Sequence, residues 1–129
     1  MIDHTGLNCS SMKTSKPFYQ KALAPLGYQV EKEFTAEVTG SSHVVGMGVD
    51  GKPDFWLAET APQKPHVHVA FRARDRKTVD AFHEAALAAG GKDNGAPGPR
   101  PHYHDNYYGA FVLDPDGHNI EVVCHDPAK

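Results

Sequence analysis

Phe111-Val-Leu-Asp-Pro-Asp-Gly-His-Asn-Ile-Glu-Val-Val-Cys-His125 is the stretch on which the fold turns. Asp114-Pro-Asp-Gly117 is a turn signal. Proline presets φ at the second turn position, glycine accepts the backbone that closes it, and apolar runs flank both sides, so the segment reads as a hairpin. In the returning strand, alternation puts Ile120, Val122 and Cys124 on one face and Asn119, Glu121, Val123 and His125 on the other. Glu121 is thereby carried mid-strand. For a lone glutamate a solvated sheet face is the ordinary reading. Two histidines placed the same way elsewhere change it.

Working outward, a strand over Ile2–Cys9 leads into a helix from about Ser15 to Leu26, capped by Thr14 or Ser15, with Pro17 in its first turn. Strands follow over Tyr28–Phe34, His43–Val49 and Asp54–Glu59. Thr60–Pro65 reads as a connector, and then the pattern restarts. His66–Arg72 is a strand, and Asp75–Ala89 a helix with the stripe Val79, Phe82, Ala86, Leu87. A shift of 64 positions superposes His4 on His68, Phe18 on Phe82, Ala22-Leu-Ala24 on Ala86-Leu-Ala88, and Gly27 on Gly91. The chain is therefore one α+β domain, residues 1–129, of two βαβββ modules (1–61 and 66–129). A helix covers one face of each half-sheet and leaves the other to line a cleft.

Parity then places the candidate ligands. Thr5, Leu7 and Cys9 share the helix-side face of the first strand, and Val67, Val69 and Phe71 that of the fifth. His4, His68 and Glu121 point the other way, and His118, on the opposite parity from Glu121, lies outside the site. Two imidazoles and a carboxylate offer donors suited to a divalent ion. Nine histidines in the chain agree with that reading.

Composition narrows the partners. With 13 Lys plus Arg against 16 Asp plus Glu, a net charge of -3 and no basic cluster, the chain has no electrostatic footprint for nucleic acid. No apolar run approaches membrane-spanning length, and the start of the chain has no leader-like segment, so a cytoplasmic location is expected. Cys9 and Cys124 both fall on apolar parity, which predicts buried, reduced thiols.

On Asp3-His-Thr-Gly-Leu7, Lys16-Pro-Phe-Tyr19, His68-Val-Ala-Phe71 and the run Phe111 to Glu121, the chain resembles the vicinal oxygen chelate superfamily. That group includes glyoxalase I, extradiol dioxygenases, fosfomycin-resistance thiol transferases and bleomycin-resistance proteins. The resemblance implies paired βαβββ units forming a curved half-barrel sheet around a metal-binding cleft, with helices on the outer face. It implies a divalent metal (Zn, Ni, Fe or Mn) on His4, His68 and Glu121, and a small substrate bound through adjacent oxygens. It also implies a homodimer, as look-alikes commonly form. The alternative is a non-catalytic, bleomycin-resistance-like small-molecule-binding protein.

The segment Gly95 to Tyr108 carries prolines at 97, 99 and 101, which deny it a central strand's hydrogen bonds and make it an edge or a covering loop. As a lid it would bring Arg100, Tyr103 and Tyr107 to the substrate beside Trp56. His102, His104 and Tyr108, together with His66, are then candidates for acid–base work.

Glyoxalase I-like members draw a fourth ligand, Glu or Gln, from the fourth strand, where parity places Trp56 in this chain. An indole offers one donor and no base. Loss of a positioned base costs about 10² to 10⁴ in rate. Assayed against a methylglyoxal–glutathione hemithioacetal with each metal in turn, the protein is expected to show at most trace isomerase activity. Turnover at ordinary enzyme rates would contradict the assignment of Trp56.

Overall fold

The computed structural model describes residues 1–128. The elements run β1 (Thr5–Cys9), α1 (Met12–Ala22), a 3₁₀ turn (Ala24–Leu26), β2 (Gln29–Phe34), α2 (Ala36–Thr39), β3 (Val44–Val49) and β4 (Lys52–Glu59) in the first module. The second has β5 (His68–Arg72), α3 (Arg76–Ala88), β6 (Lys92–Pro99), β7 (Tyr108–Leu113) and β8 (Asn119–Cys124). They form two open, mixed four-stranded sheets, ordered β1-β4-β3-β2 and β5-β8-β7-β6. In each, the first and last strands of the module pair in parallel and the remaining pairs are antiparallel. The two βαβββ modules read from the repeat are thus present as two sheets of identical order.

The helix-side parity holds. Leu7 and Cys9 of β1, Phe55 and Leu57 of β4, Phe71 of β5, and Ile120, Val122 and Cys124 of β8 are all buried. They join Phe18, Tyr19, Ala22, Val79, Phe82 and Ala86 from α1 and α3 in one apolar cluster. The modules share it through aromatic contacts. Phe55 meets Phe71 edge-on at 5.1 Å between ring centroids, and Tyr28 meets Phe71 at 5.4 Å. Both cysteines are free and buried, and burial pushes the Cys9 thiol up to about 11, so it stays protonated and unreactive.

Several boundaries move for local reasons. α1 begins at Met12 rather than Ser15, because Glu59 at the end of β4 accepts a hydrogen bond from the Met12 N–H at 2.7 Å. That carboxylate satisfies an end-of-helix donor from 47 residues away. Pro17 consequently lies inside the helix rather than in its first turn. α3 is capped by Asp75, which accepts from the Thr78 N–H at 2.8 Å. Leu87, expected in its apolar stripe, is 37% exposed. The single turn α2, ended by Gly40 at φ 76°, was not anticipated. The proline-rich segment begins as an edge strand, with register shifts around Gly95 where β6 pairs with β7, and continues as a loop over residues 100–107.

The β7–β8 hairpin does more than close a turn. Asp114 accepts from the backbone N–H groups of Asp116 and His118 and from the Tyr19 hydroxyl at 2.5 Å. Asp116 takes the Ser10 hydroxyl and N–H at the end of β1. His118 is fully buried. Its Nδ1 accepts from the Val67 N–H at 3.1 Å, so in its neutral form Nε2 carries the proton and donates to the Asn8 carbonyl at 3.0 Å. This imidazole ties β1 to the segment entering β5, and so fixes where His68 begins its strand. His118 lies outside the site, as parity required, but it is not an inert position. His118→Ala leaves two polar backbone groups without partners and is expected to cost about 2–3 kcal/mol in urea unfolding. A loss below about 0.5 kcal/mol would show that this link is not needed.

Candidate functional site

Glu121 sits at the centre of the open face of the second sheet. Its Cα partners are Ala70 of β5 and Phe111 of β7. Only 2% of the residue is exposed, and it is one of four buried polar residues among the described ones. Burying a carboxylate is costly unless donors replace water, and here each oxygen has one. His68 Nε2 lies 3.0 Å from Oε1, and the Tyr107 hydroxyl donates to Oε2. Burial, followed by the hydrogen bond to Glu121, raises the Tyr107 phenol above its ordinary range, so it serves as a donor and not as a base. The approach of Tyr107 needs Gly109. A Cβ there would stand 3.2 Å from the tyrosine ring and 3.3 Å from Glu121 Oε2.

The loop over residues 100–107 holds Tyr107 in place. The Arg100 N–H donates to the Tyr107 carbonyl at 2.7 Å. His104 Nδ1 accepts from the Asn106 N–H, which leaves the neutral ring's proton on Nε2, 2.8 Å from Nδ1 of His125 at the end of β8. The Tyr107 ring meets both imidazoles at 5.4 Å. Toward β5, the His68 ring is half-exposed and tilts over Phe111 at 6.2 Å.

The other candidates fall as follows. His4 is exposed, with Nδ1 on the Asp3 carboxylate at 2.7 Å, and it does not join His68 and Glu121 within the chain. Among the described residues no three His, Cys, Asp or Glu side chains form a metal-holding group. Strand register nevertheless relates the two halves. Ala70, two residues after His68, pairs with Glu121, and Gly6, two residues after His4, pairs with Trp56. Trp56 thus occupies in the first sheet the place that Glu121 has in the second. Its indole lies on Gly46, where an added Cβ would come within 2.8 Å of the ring. Glu59 faces α1 as its cap, away from that place.

His66 stands over Gly117 and edge-on to His118, at the hairpin turn. The His102 ring lies tilted against Tyr103 with centroids 4.2 Å apart, and Tyr103 is 58% exposed on the loop. Tyr108 needs correction. It shares the parity of the buried Ala110 and Val112, donates to Asp80 of α3 at 2.7 Å and lies under the Arg76 guanidinium. It therefore faces the helix and not the candidate site. Phe111, Gly109 and His125 were missed. His125 shares the parity of Glu121 and was open to recognition, whereas the need for a missing Cβ at position 109 becomes visible only once Tyr107 is placed.

The sequence pattern described as the Glyoxalase/Bleomycin resistance protein/Dioxygenase superfamily matches residues 1–122. The chain belongs to that superfamily. No curated protein matches it. Among solved structures, the fold is similar to a glyoxalase/bleomycin resistance protein from Albidiferax ferrireducens, with TM-score 0.74 and 23% identity over 95% of this chain and 97% of that one. It is similar to a mutant of glyoxalase I from Zea mays, with TM-score 0.70 and 17% identity over 98% of this chain and 44% of that one. It is also similar to a mutant of a fosfomycin resistance protein from Listeria monocytogenes complexed with Mn(II) and a dihydroxypropylphosphonic acid, with TM-score 0.68 and 16% identity over 95% and 87%. Membership in the superfamily accounts for the paired modules, and the side-chain geometry around Glu121 belongs to this chain.

Gly109→Ala and Tyr107→Phe remove the same contact by different means. Each is expected to cost about 1–3 kcal/mol in urea unfolding and to speed proteolysis of the loop over residues 100–107. Because the two act on one hydrogen bond, the double variant should cost clearly less than the sum. Additive losses would show that Gly109 does not serve the Tyr107–Glu121 bond.

Proposed function

We propose that the protein is a divalent-metal-dependent enzyme acting on a small substrate with adjacent oxygens, its metal held by His68 and Glu121 of one copy and His4 of a second. The observation that carries this reading is the His68–Glu121 pair. Its nitrogen and oxygen are 3.0 Å apart. Two donors each about 2.1 Å from a common ion and at right angles would be separated by about 3 Å, so the pair fits a divalent cation without rearrangement. The donor chemistry fits as well, since imidazole and carboxylate suit zinc, nickel, iron or manganese. His4 is exposed just before β1, two residues ahead of Gly6 as His68 is two ahead of Ala70, and so is available to another copy.

When bound, such an ion supplies Lewis-acid polarisation and a template for the substrate's oxygens. The chain's own groups define the rest. Tyr107 engages Oε2 and leaves Oε1 as the oxygen turned toward His68. Its high phenol pKa keeps it a donor beside the carboxylate. Trp56, which cannot ligate, leaves three protein ligands and open positions, and its half-buried indole offers a flat apolar wall to a planar substrate. If the cleft binds small molecules without metal, as the bleomycin-resistance reading holds, the Trp56 wall would be the main contact.

Metal analysis of mixed variants tests this arrangement. His4→Ala and His68→Ala should each lose the ion as homodimers, while a mixed dimer retains one of its two sites, because one site combines both intact histidines. Mixed dimers that stay empty would place the site within one chain. Full metal content in both parent variants would remove the site altogether.

A further inference from the structure

One cation on the candidate site's face is held in place by bonds to its own strand. The register shifts that interrupt β6 between Asp93 and Gly98 leave Ala96 without a register partner in β7, while Gly98 pairs with Gly109. Arg100 folds back onto both, with Nη1 donating to Gly98 O at 2.7 Å and Nη2 to Ala96 O at 2.9 Å. Glycines clear the space it occupies. A Cβ at Gly95 would lie 3.3 Å from Nη2, and one at Gly98 would lie 3.4 Å from Nη1. The guanidinium also sits over the Phe111 ring, 5.6 Å from its centroid. Phe111 pairs directly with Glu121, and the His68 ring lies 6.2 Å from the Phe111 ring between centroids. Arg100 therefore shares a face with the His68–Glu121 pair.

This cation lacks a counter-ion. Among the described residues no carboxylate lies within ion-pair distance of Arg100, whereas Arg72 has Asp126 at 3.9 Å. Glu121, the buried acid on this face, is already engaged by His68 and Tyr107. Neutral carbonyls fix the guanidinium's orientation without cancelling its charge. A guanidinium retains further N–H donors when two are used, in a fork matched to carboxylate or phosphonate oxygens. An immobilised arginine also loses little conformational freedom on taking such a partner.

We infer that the substrate is a small acid: Arg100 binds an anionic group, a carboxylate in the first instance, while the substrate's adjacent oxygens occupy the His68–Glu121 end. The inference rests on the metal reading for the second half of that statement only. Phe111 acts as the spacer. The guanidinium lies 5.6 Å and the His68 ring 6.2 Å from the Phe111 centroid, so one small aromatic acid lying on this ring would be within reach of both. Phe111 offers the flat face such a molecule needs.

Two probes that differ only in the anionic group test this. Catechol and 3,4-dihydroxybenzoate carry the same adjacent oxygens, and their binding to manganese-loaded protein can be measured by calorimetry. The parent should prefer the acid by about tenfold at low salt, with the preference shrinking as ionic strength rises. Arg100→Gln should bring the two affinities together, and Arg100→Lys should restore part of the preference, which a purely structural role for Arg100 would not predict. His68→Ala should weaken both probes alike. If Arg100→Gln leaves the ratio unchanged, or if the parent fails to bind the acid, the inference is overturned. If the acid binds through Arg100 while His68→Ala weakens neither probe, the anion subsite stands and the metal reading falls.

Discussion

A buried carboxylate on a sheet face must be answered by donors from elsewhere in the fold, and the second module supplies two to Glu121. His68 reaches it from the neighbouring parallel strand, and Tyr107 from the loop that follows the edge strand. Both depend on longer-range constraints. His68 is in position because His118 fixes the entry to β5 against β1. Tyr107 is in position because Gly109 lacks a side chain and because the His104–His125 bond pins the loop to the end of β8. The proline-rich edge, the hairpin turn and the first strand thus converge on one carboxylate 2% exposed.

The two sheets have the same strand order but not the same chemistry. At matching register, one carries Glu121 and the other Trp56. The duplicated architecture offers two equivalent positions, and this chain uses one for a charged donor and the other for an apolar wall resting on Gly46. A four-ligand centre built symmetrically from both halves is therefore closed to it. On the proposed reading, three ligands with open positions would remain, which is the condition for a substrate to reach the ion directly.

Much of this was legible in the sequence because it rests on period and repetition. The Asp114–Gly117 turn, the alternation that buries Ile120, Val122 and Cys124, and the 64-residue repeat are local or periodic signals, and each is realised. Trp56 was placed on the cleft parity for the same reason. What was not legible depends on contacts between distant residues. Nothing local to Met12 shows that Glu59 will cap its helix, and nothing local to His118 shows that it will bridge Val67 and Asn8. Tyr107 and Tyr108 are adjacent and chemically identical, yet one meets Glu121 and the other Asp80 of α3. Alternation separates such a pair onto opposite faces, but the start of β7 had to be known before either could be assigned. The separation of His4 from His68 likewise follows from how the modules pack, which the repeat does not encode.

The central claim is that His68 and Glu121 are metal donors and not merely a hydrogen-bonded pair. The most direct measurement is an anomalous-difference map from crystals of untagged protein grown with manganese. A peak within about 2.0–2.3 Å of both His68 Nε2 and Glu121 Oε1 is the predicted result. A map with no peak there, the direct His68–Glu121 hydrogen bond persisting at saturating manganese, would contradict the account.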